Sequence, residues 1–281
     1  MRVLVTGAQG QLGTDMMICL EGQPDKYEVF GYGRKALDIT DISQVSKIFK
    51  QIKPEIVIHT AAYTQVDQAE TDWDRAYAIN ALGTNNLVVE AEKVDAKFVY
   101  ISTDYVFDGR KGTPYYESDR TNPQSVYGRT KRAGEEFVLA TSSKYFIVRT
   151  SWVYGKYGVN FVQAMISLGN SGKPLKVVDD QFGSPTYTVD LARFLEQIIG
   201  TECYGIYHAT NSGSCSWYEF AKRIFEMAGM HVQLSPCTTA DFPRPAPRPA
   251  YSVLEHRKIQ LEEFKDLRPW QEGLKDFLAN Q

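Results

Sequence analysis

Apolar positions in the first half of the chain follow two alternating patterns. Short continuous apolar runs, such as residues 2–6 and 98–101, are typical of strands that are buried on both faces of a parallel sheet. Between these runs, apolar residues recur at helical spacing, as in residues 11–20. This alternation predicts an α/β fold built on a doubly wound parallel sheet. The predicted strands span residues 2–6, 27–32, 55–59, 98–101 and 145–149.

A glycine-rich segment directly follows the first strand. Gly7, Gly10 and Gly13 have the spacing Gly-x-x-Gly-x-x-Gly, and a helical pattern begins at Gln11. Glycines at such a turn let the backbone approach a pyrophosphate closely, and the helix N-terminus supplies unpaired N–H groups. Because the segment joins a strand to a helix, it predicts the dinucleotide site of a Rossmann fold, with these glycines at the cofactor.

The end of the second strand carries an arginine where many dinucleotide sites carry an acid. Arg34 follows this strand within the segment Gly33-Arg34-Lys35. An acid at this point bonds the ribose 2′-hydroxyl, whereas an arginine suits the 2′-phosphate of NADPH. The sequence therefore favours NADPH over NADH, with a solvated surface position for Arg34 as the alternative. Asp38 and Ile39 come next and border the adenine, unless Asp38 is a turn residue.

The third strand and the helix after it carry further signals. Small residues leave the strand in residues 60–64, so that the backbone can lie close to a ligand there. His59, inside the strand, is expected to be packed rather than catalytic. The helical stretch 73–94 contains Asn80 and Gly83, which are poor residues for a helix interior. They predict a local break, caused by simple helix imperfection or by a backbone contact with a function.

A hydroxyl and a Tyr–Lys pair form the candidate catalytic centre. The fourth strand delivers Thr103 to its carboxyl end, and Tyr127 and Lys131 lie four residues apart on the next predicted helix. A lysine ammonium on the same helical face is expected to lower the pKa of the phenol, which can then pass a proton to a carbonyl oxygen. The same spacing recurs at Tyr218 and Lys222, which we interpret as an amphipathic helix with Tyr218 towards a core. The order of strand, hydroxyl and Tyr-x-x-x-Lys selects the first pair.

The pattern becomes mixed after Gly155. Residues 181–186 are expected to form a loop. The Pro-rich segment 242–249 carries Arg244 and Arg248, and it predicts either a disordered linker or a stiff clamp that faces a phosphate. The remaining pattern predicts helices at 160–168, 189–199 and 216–228, strands at 174–178 and 206–208, and a helix from residue 269.

These patterns predict two domains. We expect residues 1–159 and 188–210 to form an NAD(P)-binding Rossmann domain. Residues 160–187 and 211–281 are expected to form a smaller mixed α/β substrate domain over the crevice at the carboxyl ends of the strands.

Composition excludes several classes of protein. The 281 residues are 43% hydrophobic and carry a net charge of −3, so that we expect neither a nucleic acid nor a membrane surface as a partner. No signal peptide opens the sequence and no apolar run is long enough to span a bilayer, which predicts a cytoplasmic protein. Four cysteines without paired or metal-ligand spacing are expected to be free thiols, namely Cys19, Cys203, Cys215 and Cys237.

Together these segments resemble the extended short-chain dehydrogenase/reductase family over essentially the whole chain. The family signatures match residues 6–13, residues 80–84 and the pair Tyr127-x-x-x-Lys131. Within this family, the chain is similar to the group of dTDP-4-dehydrorhamnose reductases. The residues that carry this similarity are 61–70, 102–107, 149–154, 180–186 and 248–249.

The resemblance implies an oxidoreductase of dTDP-rhamnose and polysaccharide biosynthesis. NAD(P)H would reduce the C4 ketone of the nucleotide sugar dTDP-4-dehydro-L-rhamnose to give dTDP-L-rhamnose, the last step of that synthesis. The resemblance implies that Tyr127 donates the proton to the ketone oxygen and that Thr103 hydrogen-bonds the same oxygen. Lys131 would lower the pKa of the phenol and hold the nicotinamide ribose.

Binding residues follow from the same resemblance. Asp104 and Trp152 would contact the sugar, Trp152 through its apolar face, and Arg248 lies in a matching segment that would face the substrate phosphates. The residues implied to line the cofactor are Gly10, Gln11, Leu12, Asp38, Ile39, Ala62, Tyr63 and Thr64.

Metal and oligomeric state are separate questions. The metal-dependent dimers of this family use acidic residues at an interface, and Asp15 in the first helix is where such an acid would sit. A full acidic cluster is not found in the sequence, so we expect no metal ligand, leave Mg²⁺ open, and expect a monomer rather than a homodimer.

Other functions share this fold and the Tyr-x-x-x-Lys pair. A dehydratase needs a second carboxylate after the threonine, and Tyr105 in its place argues against elimination. An epimerase or another sugar-nucleotide reductase stays open. So does a non-catalytic regulatory subunit resembling that of methionine adenosyltransferase, although intact Thr103, Tyr127 and Lys131 favour an enzyme.

Overall fold

A six-stranded parallel sheet lies at the centre of the computed structural model, which describes residues 1–280. Each strand pairs in parallel with its neighbours. The strand order reverses between the first and the third strand, so that the predicted doubly wound parallel sheet is confirmed. In spatial order the strands are β2 (Glu28–Tyr32), β1 (Arg2–Thr6), β3 (Ile56–His59), β4 (Lys97–Thr103), β5 (Tyr145–Thr150) and β10 (Gly205–His208).

Helices cover both faces of this sheet. One face packs against α1 (Gln11–Glu21) and α8 (Thr188–Ile199). The other packs against α2 (Ile42–Ile52), α5 (Thr84–Lys93) and α6 (Val126–Thr141). The strands read as continuous apolar runs because both of their faces are buried. The other α-helices are α3 (Val66–Ala69), α4 (Trp73–Tyr77), α7 (Phe161–Gly169), α9 (Trp217–Met227), α10 (Arg257–Leu261) and α11 (Trp270–Ala279).

A second apolar core lies in the last part of the chain. Aromatic side chains of α7, α9 and α11 meet there, with Phe220 and Phe277 fully buried. By contrast, α8 and β10 pack with the large sheet. The domain boundaries near residues 159, 187 and 210 stay a prediction. No helix within residues 1–280 has the length and apolarity needed to cross a bilayer.

Short strands replace the loop expected at residues 181–186. β8 (Phe182–Gly183) pairs antiparallel with β11 (Cys215–Ser216), and β9 (Thr186–Tyr187) pairs in parallel with β6 (Val153–Tyr154). The loop prediction was therefore wrong here, because these pairings are made with segments distant in sequence and leave no local pattern. The remaining strands, β7 (Leu175–Val178) and β12 (Leu234–Cys237), pair in parallel.

The Pro-rich segment 242–249 has defined contacts, so the alternative of a disordered linker was wrong. The backbone N–H of Ala246 donates to Asp67 Oδ1 at 3.2 Å, and Arg248 Nη2 lies 2.9 Å from Asp67 Oδ2. Just beyond, the N–H of Tyr251 donates to the carbonyl of Gly109 at 3.1 Å. These contacts attach the segment to α3, and the residues just after it to the loop that follows β4.

The predicted break in the helical stretch 73–94 is a π-helix. It spans Ala78–Gly83 between α4 and α5. Asn80, in its first turn, is fully buried, and its amide donates to Thr130 Oγ1 at 3.0 Å and to the carbonyl of Tyr63 at 3.1 Å. In return, Asn80 Oδ1 accepts the N–H of Tyr63 at 2.8 Å. π-helical turns are frequent at functional sites, and this one joins the loop after β3 to α6.

A buried ion pair fixes α6 against the sheet. Glu135 on α6 is fully buried and accepts two hydrogen bonds of 2.9 Å from Arg149 on β5. The hydroxyl of Ser102 on β4 donates to the same carboxylate at 2.6 Å. Arg149 also donates to the carbonyl of Glu117 and stacks over Phe107 at 5.0 Å. The pair therefore holds one helix, two strands and the loop after β4 together.

Replacing Arg149 with leucine is expected to lower the free energy of unfolding by about 3 kcal/mol, because buried Glu135 then loses its two bonds from Arg149 and, of its contacts with cations, keeps only the longer one with Arg132 at 3.3 Å. Denaturant titration measures this loss. Arg223→Leu is the control, because it breaks an exposed pair with Glu226 and should lower the free energy of unfolding by less than about 1 kcal/mol. Equal losses in the two variants would contradict a stabilising role for the buried pair.

Candidate active site

The carboxyl ends of four parallel strands bring the predicted site residues to one edge of the sheet. The register pairs Thr6 with His59, His59 with Tyr100, and Thr103 with Thr150. The segments that leave β1, β3, β4 and β5 therefore start side by side. The predicted residues on these segments meet at that edge, where ligands of such sheets bind.

The glycine turn after β1 is shaped for close approach of backbone groups. Gly7 has φ +70°, and a Cβ there would lie 2.6 Å from the backbone nitrogen of Ala61. A Cβ on Gly13 would lie 2.1 Å from the carbonyl oxygen of Gly7. The N-cap of α1 is Gly10, which offers no side-chain hydrogen bond to the helix N-terminus. The first N–H groups of α1 therefore remain free for an anion, and the turn fits the pyrophosphate of a dinucleotide.

Gln11 and Leu12 stand at the start of α1. Gln11 Nε2 donates to the carbonyl of Val153 at 3.1 Å, and Gln11 Oε1 accepts from Asn160 at 3.0 Å. Leu12 is buried in the core below. The side chain of Gln11 thus links the glycine turn to the segment after β5.

The candidate adenosine end of the site is more open. Arg34 is exposed after β2, as expected for either a phosphate ligand or a solvated residue. Asp38 Oδ1 accepts hydrogen bonds from the N–H and the hydroxyl of Thr40, so that it has the bonding of a turn residue. Ile39 is buried, and Gly83 of the π-helix leaves room for its side chain.

The loop after β3 is held in place from behind. Tyr63 is buried and its backbone is bonded on both sides by Asn80, while its hydroxyl donates to Asp72 at 3.2 Å. Ala62 is partly buried and Thr64 is exposed beside it. His59 at the strand end bonds Thr6 and Thr84, which confirms the expectation that it is packed.

Thr103 and Tyr127 lie together at the end of β4. The Thr103 hydroxyl donates to Asp104 at 3.0 Å and accepts the N–H of Tyr105 at 3.2 Å. Burial raises the pKa of Tyr127, the Thr103 hydroxyl lowers it in part, and Asp104 raises it further. The net shift is upward because removal from water favours the uncharged phenol, and the lowering of this pKa by Lys131 stays a prediction.

Lys131 follows Tyr127 by one turn of α6, and only 2% of its surface is exposed. Its Nζ lies 4.1 Å from the centre of the Tyr100 ring. Burial lowers the pKa of Lys131 to about 7, against the opposing charge of Glu135. The Lys131 side chain can therefore change between its ammonium and its neutral amine form near neutral pH.

Asp104 is a buried acid at the same edge of the sheet. Only 2% of its surface is exposed, and its Oδ2 atom has no hydrogen-bond partner within residues 1–280. Burial raises the pKa of Asp104 to about 6, although Ser252 and Thr103 lower it in part.

Trp152, directly after β5, has a strained backbone. Its φ of +48° is unusual for a bulky residue. Its indole stacks on Trp217 with ring centres 3.5 Å apart, and a Cβ on Gly183 would lie 2.6 Å from the same indole. The indole thus packs against α9 and β8, and Trp152 is half-buried.

Arg248 borders a cleft of about 240 Å³ beside this edge. The cleft lies next to the catalytic candidates, and Thr103, Tyr127 and Lys131 are not among its lining residues. It is lined by Tyr105, Phe107, Asp108, Gly109, Arg110, Gln124, Ser125, Pro247, Arg248, Pro249 and Ala250.

The second Tyr-x-x-x-Lys pair lies on α9, at the second core. Tyr218 packs against that core and Lys222 is exposed, as predicted. Sequence reasoning missed the residues that support the first pair. These are Tyr100, whose ring faces Lys131; Trp217, which stacks on Trp152; Asp67, which pairs with Arg248; and Ser252, which lies beside Asp104.

Asp15, the acid singled out in the first helix, makes a contact within the fold. It is buried at the contact between α1 and α8, where the Thr188 hydroxyl donates to it. Burial raises the pKa of Asp15, and the bond from Thr188 lowers it in part.

Comparison with known proteins covers the full chain. The family described as RmlD substrate binding domain matches residues 1–281. The spore coat polysaccharide biosynthesis protein SpsK of Bacillus subtilis is 44% identical, covering 100% of this chain and 98% of that protein. The dTDP-4-dehydrorhamnose reductase of Aggregatibacter actinomycetemcomitans is 42% identical, covering 99% of this chain and 98% of that protein. The crystal structure of dTDP-4-dehydrorhamnose reductase from Bacillus anthracis in complex with NADP has a TM-score of 0.97 and 49% identity, covering 100% of this chain and 99% of that one.

The fold, the glycine turn and these relatives together define an oxidoreductase that binds a nicotinamide cofactor. The chain belongs to the RmlD family of dTDP-4-dehydrorhamnose reductases. The resemblance found in the sequence is therefore confirmed.

Replacing Asp104 with asparagine is expected to make stability less dependent on pH. The pKa of the folded protein, about 6, lies above the ordinary value of 3.8, so the stabilisation present below pH 3.8 is lost as pH rises through 6. Between pH 5 and pH 8 the native protein should lose about 1.4 kcal/mol of unfolding free energy relative to Asp104→Asn. Denaturant titration at both pH values measures this, and parallel pH dependences would contradict a raised pKa.

Proposed function

We propose that this chain catalyses the NADPH-dependent reduction of the C4 ketone of dTDP-4-dehydro-L-rhamnose to dTDP-L-rhamnose. The observation that carries the proposal is the meeting of Thr103, Tyr127 and Lys131 at the edge that also holds the open glycine turn. Membership of the family and the names of two full-length relatives support the choice of substrate.

A bound reduced nicotinamide supplies the hydride of this reaction, and the protein supplies the proton and the orientation. Tyr127 donates its proton to the ketone oxygen; its raised pKa keeps the phenol protonated until the oxygen gains charge. Thr103 binds the same oxygen with its hydroxyl. Lys131 favours the phenolate that forms and holds the nicotinamide ribose.

Three further residues bind the sugar nucleotide. Asp104, directly after β4, binds a hydroxyl of the sugar. Trp152 covers an apolar face of the sugar with its stacked indole. Arg248 contacts a phosphate from the wall of the cleft, after exchanging Asp67 for the substrate anion.

The glycine turn, the loop after β3 and the residues after β2 hold the cofactor. Arg34 binds the adenosine 2′-phosphate, which makes NADPH the preferred cofactor and leaves NADH a slower substitute. The other members of this set are Gly7, Gly10, Gln11, Leu12, Gly13, Asp38, Ile39, Ala62, Tyr63 and Thr64, together with Tyr127 and Lys131.

Several expectations remain predictions beside this function. They are the two-domain organisation, a monomeric state, a reaction that needs no protein-bound metal, with Mg²⁺ left open, and a cytoplasmic location.

The proposal is tested by following the absorbance of NADPH with enzymatically generated dTDP-4-dehydro-L-rhamnose. We expect oxidation that depends on the sugar and yields dTDP-L-rhamnose. Oxidation only with a different ketosugar would identify another sugar-nucleotide reductase. Interconversion of sugars without net oxidation would identify an epimerase, and cofactor binding without either would favour a regulatory subunit.

Tyr127→Phe is expected to lower kcat by about 100-fold or more, because the variant has no phenolic proton to donate. Binding of NADPH, measured by quenching of protein fluorescence, should stay near its native strength. The matched control is Tyr218→Phe, which removes the hydroxyl from the other Tyr-x-x-x-Lys pair and should leave kcat nearly unchanged. Native turnover in Tyr127→Phe would remove this tyrosine as the proton donor.

Arg34→Ala is expected to raise the KM for NADPH about tenfold while changing the KM for NADH little, because only NADPH carries the 2′-phosphate. Steady-state kinetics with both cofactors measures the difference. Arg257→Ala, at an exposed arginine of α10, is the control for loss of one positive charge. An equal rise for both cofactors would place Arg34 outside the phosphate site.

A further inference from the structure

Lys131 occupies an unusual electrostatic position. It is a buried lysine, and within residues 1–280 no ion pair reaches its Nζ atom. The nearest acid is Glu135, one turn further along α6. Both oxygens of Glu135 are already bonded, to Ser102 and Arg149 on one side and to Arg149 and Arg132 on the other. The carboxylate is therefore committed to another cation.

The group that directly faces the ammonium is an aromatic ring. Tyr100 on β4 is fully buried, and its ring centre lies 4.1 Å from Lys131 Nζ. A cation over a ring face at this distance is attracted by the ring quadrupole, more strongly when both are removed from water. The ring is therefore the nearest described group that stabilises the charged form of the lysine.

The hydroxyl of the same tyrosine fixes the backbone around the lysine. Tyr100 Oη lies 3.1 Å from the carbonyl oxygen of Lys131 and 3.3 Å from that of Asn80, so that one O–H is shared between α6 and the π-helix. Burial raises the pKa of Tyr100, with Glu135 and Tyr127 adding to the rise, so the hydroxyl keeps its proton and donates.

A glycine makes this contact possible. A Cβ on Gly134 would lie 2.2 Å from the Tyr100 hydroxyl oxygen and 2.5 Å from the Asn80 carbonyl oxygen. Glycine inside a helix destabilises it by about 0.5–1 kcal/mol relative to alanine. Its presence in the middle of α6 is therefore explained by the close approach of Tyr100.

We propose that Tyr100 is the positioning residue of Lys131: its ring face carries the ammonium, and its hydroxyl holds the helix on which Lys131 follows Tyr127 by one turn. The proposal deepens the reductase function, on which the role of Lys131 in turnover rests. The charged or titratable groups that face Lys131 are Glu135 and Tyr127 on α6 and His59 on β3, which burial and Lys131 both keep neutral by lowering its pKa.

The test separates the ring from the hydroxyl. Lysine labelled with ¹⁵N reports the titration of Nζ by NMR in the intact protein, with the resonance assigned by its loss in Lys131→Arg. Tyr100→Phe keeps the ring face, so the titration midpoint of Lys131 should stay within a few tenths of a pH unit of the native value. Tyr100→Leu removes the face and should lower the midpoint by about one pH unit, because the charged form loses its partner.

A second series of variants carries phenylalanines with an increasing number of ring fluorines at position 100. This series tests the role of the ring face even if Tyr100→Leu fails to fold. Fluorine weakens the ring quadrupole at nearly constant size, so the midpoint should fall stepwise relative to Tyr100→Phe. An unchanged midpoint across this series would overturn the proposal, because packing alone would then explain Tyr100.

Turnover gives an independent reading of the same variants. In Tyr100→Leu and in the fluorinated series, the fall of kcat at high pH should begin at a lower pH than in the native protein. In Tyr100→Phe, kcat should fall several-fold, but the pH at which it declines should not change. The NMR titration needs no substrate. If the titration midpoint of Lys131 shifts but the sugar is not reduced, the proposed function is refuted, whereas the proposed role of the Tyr100 ring is supported.

Discussion

The buried pair between Glu135 and Arg149 is the constraint on which the geometry of the site depends. Two charges removed from water must meet in a fixed arrangement, because each would otherwise lie uncompensated in a low-dielectric interior. Ser102 completes the arrangement from β4. The pair thus sets both the distance and the rotation of α6 relative to two strands. Tyr127 and Lys131 lie on that helix, so their placement over the end of β4 follows from an interaction that never touches a ligand.

The same dry interior acts on the two partners of the Tyr–Lys pair in opposite directions. It raises the pKa of Tyr127 and lowers that of Lys131, so both side chains move towards their neutral forms. A neutral phenol beside a lysine that titrates near neutral pH is suited to giving up a proton when charge develops nearby. Asn80 adds rigidity, because its amide joins the loop after β3 to the helix that carries the pair.

Local pattern was sufficient to predict the large sheet and the helices against it, because their periodicity lies within single segments. The break at Asn80 also has a local signal. The pairing of β8 and β9 has none, since their partners lie elsewhere in the chain. The helical pattern around Trp217 indicated only a core face, and its stack on Trp152 depends on the tertiary fold. The shift of the Tyr127 pKa depends on burial, which residue spacing does not encode.

The strained backbone of Trp152 has a consequence for how this sequence can diverge. A large aromatic residue at φ +48° is held by its stack on Trp217 and lies against the bare backbone of Gly183. A side chain at position 183 would displace the indole, and a smaller residue at position 217 would leave it without a support. Single substitutions at these places are therefore disfavoured, and the three positions are expected to covary as a unit during the divergence of related sequences.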